Sequence, residues 1–223
     1  MNRRRMLHAL KAEVGEYEDA AVLPADTDPQ LYLSRNRQPQ PFHLICSKDN
    51  VLSQLSGTVH VHLRDSSVNR FRMDVGDHVY IPAGTPHRIV PVAEGVTVRY
   101  QPLDAGLQGA CWYCDGCDSE LRRYEWEHDN DTPAVRYYAA ACARFCADEA
   151  ARTCGKCGTV AAPLDLAPFG PGRPALSRTG QRSTVCAGAC LTGRHDVQPP
   201  LRQCELPSFV GRAPPRHPQA APA

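Results

Sequence analysis

The 223-residue sequence has no apolar run near the roughly 20 residues that a membrane-crossing helix needs, and no excess of charge of either sign. Lys and Arg number 25 against 24 Asp and Glu, a formal net charge of +1, so neither a nucleic acid nor a membrane surface is implied as a partner. The basic opening Met1-Asn2-Arg3-Arg4-Arg5 leads into Lys11, Glu13, Glu16 and Glu18 instead of an apolar signal-peptide core, and a cytoplasmic location is expected. Cysteine is nearly missing from the first half. Cys46 alone precedes residue 111, whereas seven cysteines lie between 111 and 157 and three follow. An odd total of 11 suits a disulfide framework poorly, and a reducing compartment favours metal binding.

That step in cysteine content divides the chain near Pro102-Leu103-Asp104-Ala105-Gly106. Residues 1–40 read as an N-terminal arm. Met6, Leu7, Leu10 and Val14 have helical spacing, the stretch from Pro24 to Pro41 is too rich in Pro, Asn and Gln for a long element, and Leu31-Tyr32-Leu33 suits an edge strand. Residues 41–105 read as a β core, 106–162 as a cysteine-bearing extension, and 163–223 as a Pro-rich, disordered tail.

Within the β core, Val51–Leu55 ends at Ser56-Gly57, and Thr58–Arg64 then alternates with period two. Asp65-Ser66-Ser67 turns the chain, Phe71–Val75 runs back to Gly76, and Gly95–Tyr100 closes the set. Strands at this spacing predict a mainly β sandwich or barrel. His60 and His62 share a strand face opposite Val59, Val61 and Leu63. The apolar face is the one to be buried, so the two histidines are expected in solvent.

The most informative local stretch of that core is Gly76-Asp77-His78-Val79-Tyr80-Ile81-Pro82-Ala83-Gly84-Thr85-Pro86-His87. A short β run meets a turn in which Pro82 presets φ and Gly84 permits a positive φ, so that His87 is thrown back toward whatever the strand faces. An imidazole in a barrel interior can bind a metal.

Residues 111–160 carry two C-x2-C knuckles, Cys114-Asp115-Gly116-Cys117 and Cys154-Gly155-Lys156-Cys157, with Gly158 after the second. Each sets two thiolates on one tight turn, and two such turns complete a tetrahedral sulfur site for zinc or iron. The connection of 36 residues between them demands an inserted element, and the Ala-rich run Tyr137–Ala151 predicts a helix. Cys142 and Cys146 sit on it at i and i+4, as small buried apolar residues or else as substitute ligands. In the tail, Cys186, Cys190, His195 and Cys204 offer a further, irregularly spaced zinc set.

Gly76–His87 fits the second cupin motif, G-x5-P-x-G-x2-H, at each fixed position, with Pro91 where an asparagine often closes it. Together with Trp112-Tyr113-Cys114-Asp115-x-Cys117, Arg152-Thr153-Cys154-x-x-Cys157-Gly158 and Gln54-Leu55-x-Gly57, this resembles bacterial 3-hydroxyanthranilate 3,4-dioxygenase over roughly residues 8–162. The resemblance implies a cupin (double-stranded β-helix, jelly-roll) barrel with a small C-terminal rubredoxin-like extension, and a homodimer. It also implies an Fe(II) enzyme that uses O2 to open the ring of 3-hydroxyanthranilate or a related aminophenol. Iron in such enzymes is held by two histidines and a carboxylate. Residue by residue the resemblance places these at His43, at Asn50 or the neighbouring Asp49, and at His87, with the four knuckle cysteines as a distant structural site. Of the substrate-holding arginines, one falls on Pro91 and the other on Pro39 or Gln40 with Arg37 close by. The substrate-holding glutamate falls near Val98, beside Arg99. Arg37 and Arg99 are therefore the candidate substrate-binding residues. Two other functions fit the same residues. One is a degenerate cupin kept as a binding or scaffold module. The other is a cupin enzyme of altered metal and substrate, with His43, Cys46 or Asp49 as ligands.

Overall fold

In the computed structural model, residues 14–64 and 67–169 are described. The expected helix around Met6–Leu10 and the Cys186, Cys190, His195, Cys204 set lie outside these residues. Nine strands form one curled antiparallel sheet: β1 Asp19–Ala21, β2 Gln30–Asn36, β3 His43–Cys46, β4 Asn50–Leu63, β5 Arg70–Met73, β6 His78–Ile81, β7 His87–Gln101, β8 Leu107–Tyr113 and β9 Glu120–Glu127. The helices are α1, Ala134–Ala147, and α2, Glu149–Arg152, with a 3-10 turn at Ala167–Phe169. None of the described helices is long and apolar enough to cross a membrane.

The strand order β1-β2-β7-β3-β8-β9, with β4 paired to β5, β6 and β7, carries the sheet across the boundaries expected at 40/41 and 105/106. β1 and β2 come from the arm, and β8 and β9 come from the cysteine-bearing extension. β2 is not an edge strand, because β1 covers it on the side away from β7. Composition marked those boundaries, but backbone pairing ignores composition wherever a strand supplies free N–H and C=O groups. Nor is the start of the expected tail loose: Leu164, Leu166 and Phe169 pack against the main core cluster.

The expected break at Ser56-Gly57 is a set of register shifts within one long strand, β4, opposite the equally long β7. Gly57 sits at φ +70°, and a Cβ on Gly95 would fall 2.0 Å from the Ser56 carbonyl oxygen. The two backbones meet there with no room for a side chain. Gly95→Ala is expected to destabilise the fold by about 1–3 kcal/mol, read as a lower urea midpoint with the slope unchanged.

Paired residues in antiparallel strands share a face, so the register assigns every side chain to one side of the sheet. The inner face carries Phe42, Leu44 and Cys46 with Trp112, Trp126 and α1 residues Tyr138, Cys142 and Phe145 in one cluster. Leu52, Val61, Leu63, Met73, Ile81 and Ile89 form a second cluster. The outer face carries His43, Ile45, His60 and His62, and toward the N-terminal side Val14, Ala20, Leu33, Val96 and Val98 form a third cluster. α1 begins earlier than expected, at Ala134, and ends at Asp148, whose carboxylate accepts from the Ala151 N–H at 3.2 Å and starts α2.

Candidate functional site

The inner face holds a column of buried polar residues: Gln30, Asn50, Gln54, His87, Thr97, Arg99, Gln101 and Gln108. Some of them pair with one another. Gln30 lies opposite Gln101, Gln108 donates to Gln101 Oε1 at 3.2 Å, and Thr97 donates to Gln54 Oε1 at 2.7 Å. At its centre Arg99 Nη1 donates to Asp19 Oδ2 at 2.7 Å, and the Tyr138 hydroxyl donates to the same oxygen at 2.7 Å. The Arg99 and Asp19 side chains are 6% and 7% exposed. Burial is the largest influence and opposes the Arg99 charge, but Asp19, Tyr138 and Cys46 together outweigh it and leave the guanidinium pKa raised. Arg99 Nε is buried and has no partner. Phe42, Ile89, Asn36, Gln40, Asp19 and Arg99 line a small open cavity.

His87 is delivered to this face by the turn anticipated from sequence, with Gly84 at φ +78°. It pairs with Leu44 on one side and Leu63 on the other. Its Nδ1 lies 3.1 Å from the Thr85 carbonyl oxygen, which fixes the proton on Nδ1 and leaves Nε2 as a lone pair. Nε2 is buried without a partner, and burial, reinforced by Arg99, pulls the imidazole pKa down to about 3. The ring is neutral at pH 7.

His43 is not with it. Strand β3 alternates, so Leu44, the cross-strand partner of His87, faces inward and His43 faces outward, opposite Cys111. There it lies edge-on to Tyr113, with ring centroids 5.0 Å apart, and its Nε2 is 3.5 Å from Arg64 Nε. Burial and then Arg88 and Arg64 pull its pKa down to about 3.

Asp49 is exposed. It accepts from the Ala83 N–H at 2.8 Å and pairs with Tyr80, bracing the turn that carries His87 without joining His87 as a ligand. Asn50 is buried on the inner face. It donates to the Lys48 carbonyl at 2.8 Å, and its Oδ1 is unpartnered. Arg37 is ion-paired with Glu16 and does not line the cavity. Cys46 is buried beside Asn50, and burial pushes its thiol up to about 11.

These residues do not fit an iron site of two histidines and a carboxylate. The inner face supplies the His87 imidazole, the neutral amides of Asn50 and four glutamines and a protonated thiol, and the carboxylate present there, Asp19, is already shared by Arg99 and Tyr138. Among the described residues the knuckle cysteines are the one group of three or more such side chains gathered closely enough to hold a metal.

Cys114, Cys117, Cys154 and Cys157 have sulfurs all within 4.8 Å of one another. The pairs Cys114–Cys157 and Cys117–Cys154 are 3.4 and 3.5 Å apart. Zinc–thiolate bonds of about 2.3 Å in a tetrahedron set sulfurs about 3.8 Å apart, whereas a disulfide needs about 2.05 Å. The two knuckles repeat one geometry. Asp118 and Gly158 each donate to the carbonyl four residues back at 2.8 Å, and both adopt positive φ, +60° and +75°. Hydrogen bonding with Thr159 pulls the Cys157 thiol down to about 6, toward the thiolate that a metal needs.

A curled antiparallel sheet carries an inner polar column and a P-x-G-x2-H turn that presents His87 from the start of β7. The chain has a divergent cupin fold. No family model matches the sequence. This cupin is similar to the 3-hydroxyanthranilate 3,4-dioxygenase of Podospora anserina, 28% identical over 115 residues, 49% of the chain and 60% of the relative. It is also 27% identical over 128 residues to that of Scheffersomyces stipitis, 56% of the chain and 68% of the relative. The match to the Podospora protein thus spans about three fifths of its length. Among solved structures, hydroquinone 1,2-dioxygenase from Sphingomonas sp. TTNP3 with 4-hydroxybenzoate bound matches with a TM-score of 0.40 and 14% identity, over 45% of this chain and 74% of that one.

The inner-face site of the cupin includes three residues that sequence reasoning missed: Asp19, Tyr138 and Leu44. Asp19 and Tyr138 are 119 positions apart, and no local pattern links them. The place of Leu44 could have been found from alternation in β3, had the register been known.

Proposed function

We propose that this cupin, though similar to ring-cleaving dioxygenases, is a non-catalytic module that binds a small aromatic compound on its inner face, anchored by Arg99, and lacks the two-histidine, one-carboxylate iron set. The observation that carries this reading is the Arg99 guanidinium. It is buried and held in place by Asp19, and its Nε is unanswered in the wall of a cavity whose apolar side is Phe42 and Ile89. A fixed, desolvated donor beside an aromatic wall suits a planar ring bearing one acceptor substituent. The Arg99–Asp19 pair is neutral as a unit, so a phenol or amide is accommodated as well as a carboxylate. His87 Nε2 is an unpartnered acceptor on the same face but does not line that cavity.

A second reading is Fe(II)-dependent opening of 3-hydroxyanthranilate or a related aminophenol. It is favoured by the names of the two curated relatives and by the ready Nε2 of His87. One experiment separates the two. 3-Hydroxyanthranilate is titrated calorimetrically into wild type and Asn36→Trp, whose indole would close the cavity mouth. The same proteins are then loaded anaerobically with Fe(II), desalted, and exposed to nitric oxide or to O2. Binding that Asn36→Trp abolishes is expected, with no nitrosyl-iron resonance and no oxygen uptake from wild type. Leu44→His combined with Asn50→Glu, which sets an imidazole directly across from His87 and adds a carboxylate, is expected to gain the resonance. Ring-opened product from wild type would establish the second reading instead.

A further inference from the structure

We infer that the outer face of the sheet carries an oxyanion site, built by Arg64, Arg70, Arg88 and His62 and suited to a phosphate group. The register lays these side chains in one row across three strands: Arg70 on β5 lies opposite His62 on β4, and His62 lies opposite Arg88 on β7. Arg64 stands two residues beyond His62 on the same face. Its guanidinium lies over the Tyr113 ring at 4.6 Å, and it reaches His43. Neighbours so placed have Cβ atoms about 4.5–5.5 Å apart, where like charges repel.

Two polar atoms in this row are unanswered from within the fold. Arg88 Nε and His62 Nε2 are buried and without partners. Burial and then Arg64 depress the Arg88 pKa, and burial, Arg88 and Arg70 depress that of His62, so each feels the uncompensated positive charge of the others. Two carboxylates reach the row from the first cysteine knuckle: Asp118, exposed and ion-paired with Arg64, and Asp115, which acts on Arg88 from further off. Arg70 donates to His60 Nδ1 at 2.9 Å.

Three guanidiniums and an imidazole approaching from different strands can donate to several oxygens at once. A tetrahedral dianion offers four oxygens, whereas a carboxylate is satisfied by one fork. The ligand class is therefore a phosphate or phosphate ester. The site lies on the opposite side of the sheet from Arg99 and His87, so it stands whether or not the inner face binds an aromatic.

The test is calorimetric titration of the full-length protein with inorganic phosphate at pH 7, with ionic strength held constant by sodium chloride. Saturable binding is expected in wild type, weakened roughly tenfold or more by Arg88→Gln and by Arg64→Gln. Binding is expected to be unchanged by Arg35→Gln, a control at an arginine ion-paired with Glu94. Near-UV circular dichroism reports folding, and Arg70→Gln, at an exposed position, substitutes for any variant that fails to fold. Heats no larger than those of added chloride, acetate binding as tightly as phosphate, or folded Arg88→Gln and Arg64→Gln proteins that bind like wild type would each overturn the site.

Discussion

Replacing Cys154 with serine is expected to remove one equivalent of bound metal per chain and to unlock both knuckles at once. Cys154 is 3% exposed, its sulfur faces Cys117, and its backbone N–H and C=O bond the Thr159 carbonyl and the Gly158 N–H at 2.8 Å. A hydroxyl cannot replace a soft thiolate, and four thiolates without a cation would be forced together within 4.8 Å. Structural zinc sites bind with on the order of 10 kcal/mol, all of it coupled to the ordering of their loops. Here the loops are short and the rest of the extension is independently held. Trp112 stacks on Phe145 with ring centroids 4.3 Å apart, and Trp126 stacks on Tyr137 at 5.5 Å. The disruption should therefore stay near residues 113–119 and 153–161. Elemental analysis reads the lost equivalent, and amide exchange reads the loosened loops. Cys142→Ala is the control, since Cys142 is fully buried against α1's neighbours and lies outside the sulfur group. Unchanged metal content in Cys154→Ser would refute a tetrathiolate site.

Asp19→Ala is expected to destabilise the fold by about 3–5 kcal/mol, because it strands the Arg99 guanidinium in the inner face. It also leaves the Tyr138 hydroxyl without its acceptor, a further cost of about 1–3 kcal/mol if no water reaches it. The double variant Asp19→Ala with Arg99→Met is expected to recover much of that loss. A methionine fills the space without a charge, and replacing both members of a buried pair costs less than breaking it. Chemical denaturation of the two single variants and the double gives the coupling directly. Additive losses would show that Asp19 and Arg99 stabilise the fold separately and not as a pair. The aromatic-binding test is independent of this cycle, because Asn36→Trp leaves the ion pair intact.

Much of the fold was legible because its signals are local. The Pro82–Gly84 turn, the alternation of Val59, Val61 and Leu63, and the Ala-rich stretch of α1 each depend on residues within one turn or strand. The two knuckles read clearly for the same reason, since C-x2-C places its sulfurs without help from elsewhere. His62 shows where alternation stops informing. Its face was assigned correctly as the one opposite the core, yet the expectation of solvent gave way to a half-buried place between Arg70 of β5 and Arg88 of β7.

The sequence alone determined that His87 ends a turn and that four cysteines form two metal-ready knuckles, because both facts rest on backbone geometry spanning a few residues. It did not determine which face of the sheet His43 would take. That follows from the register of β3 against β7, and a slip of one residue moves every side chain to the other side. Only the tertiary structure decided that Leu44 stands across from His87, that Asp49 braces a turn, and that Asp19 and Tyr138 meet at Arg99. Each of those depends on pairing and packing between segments far apart in the chain, and local spacing carries no record of them.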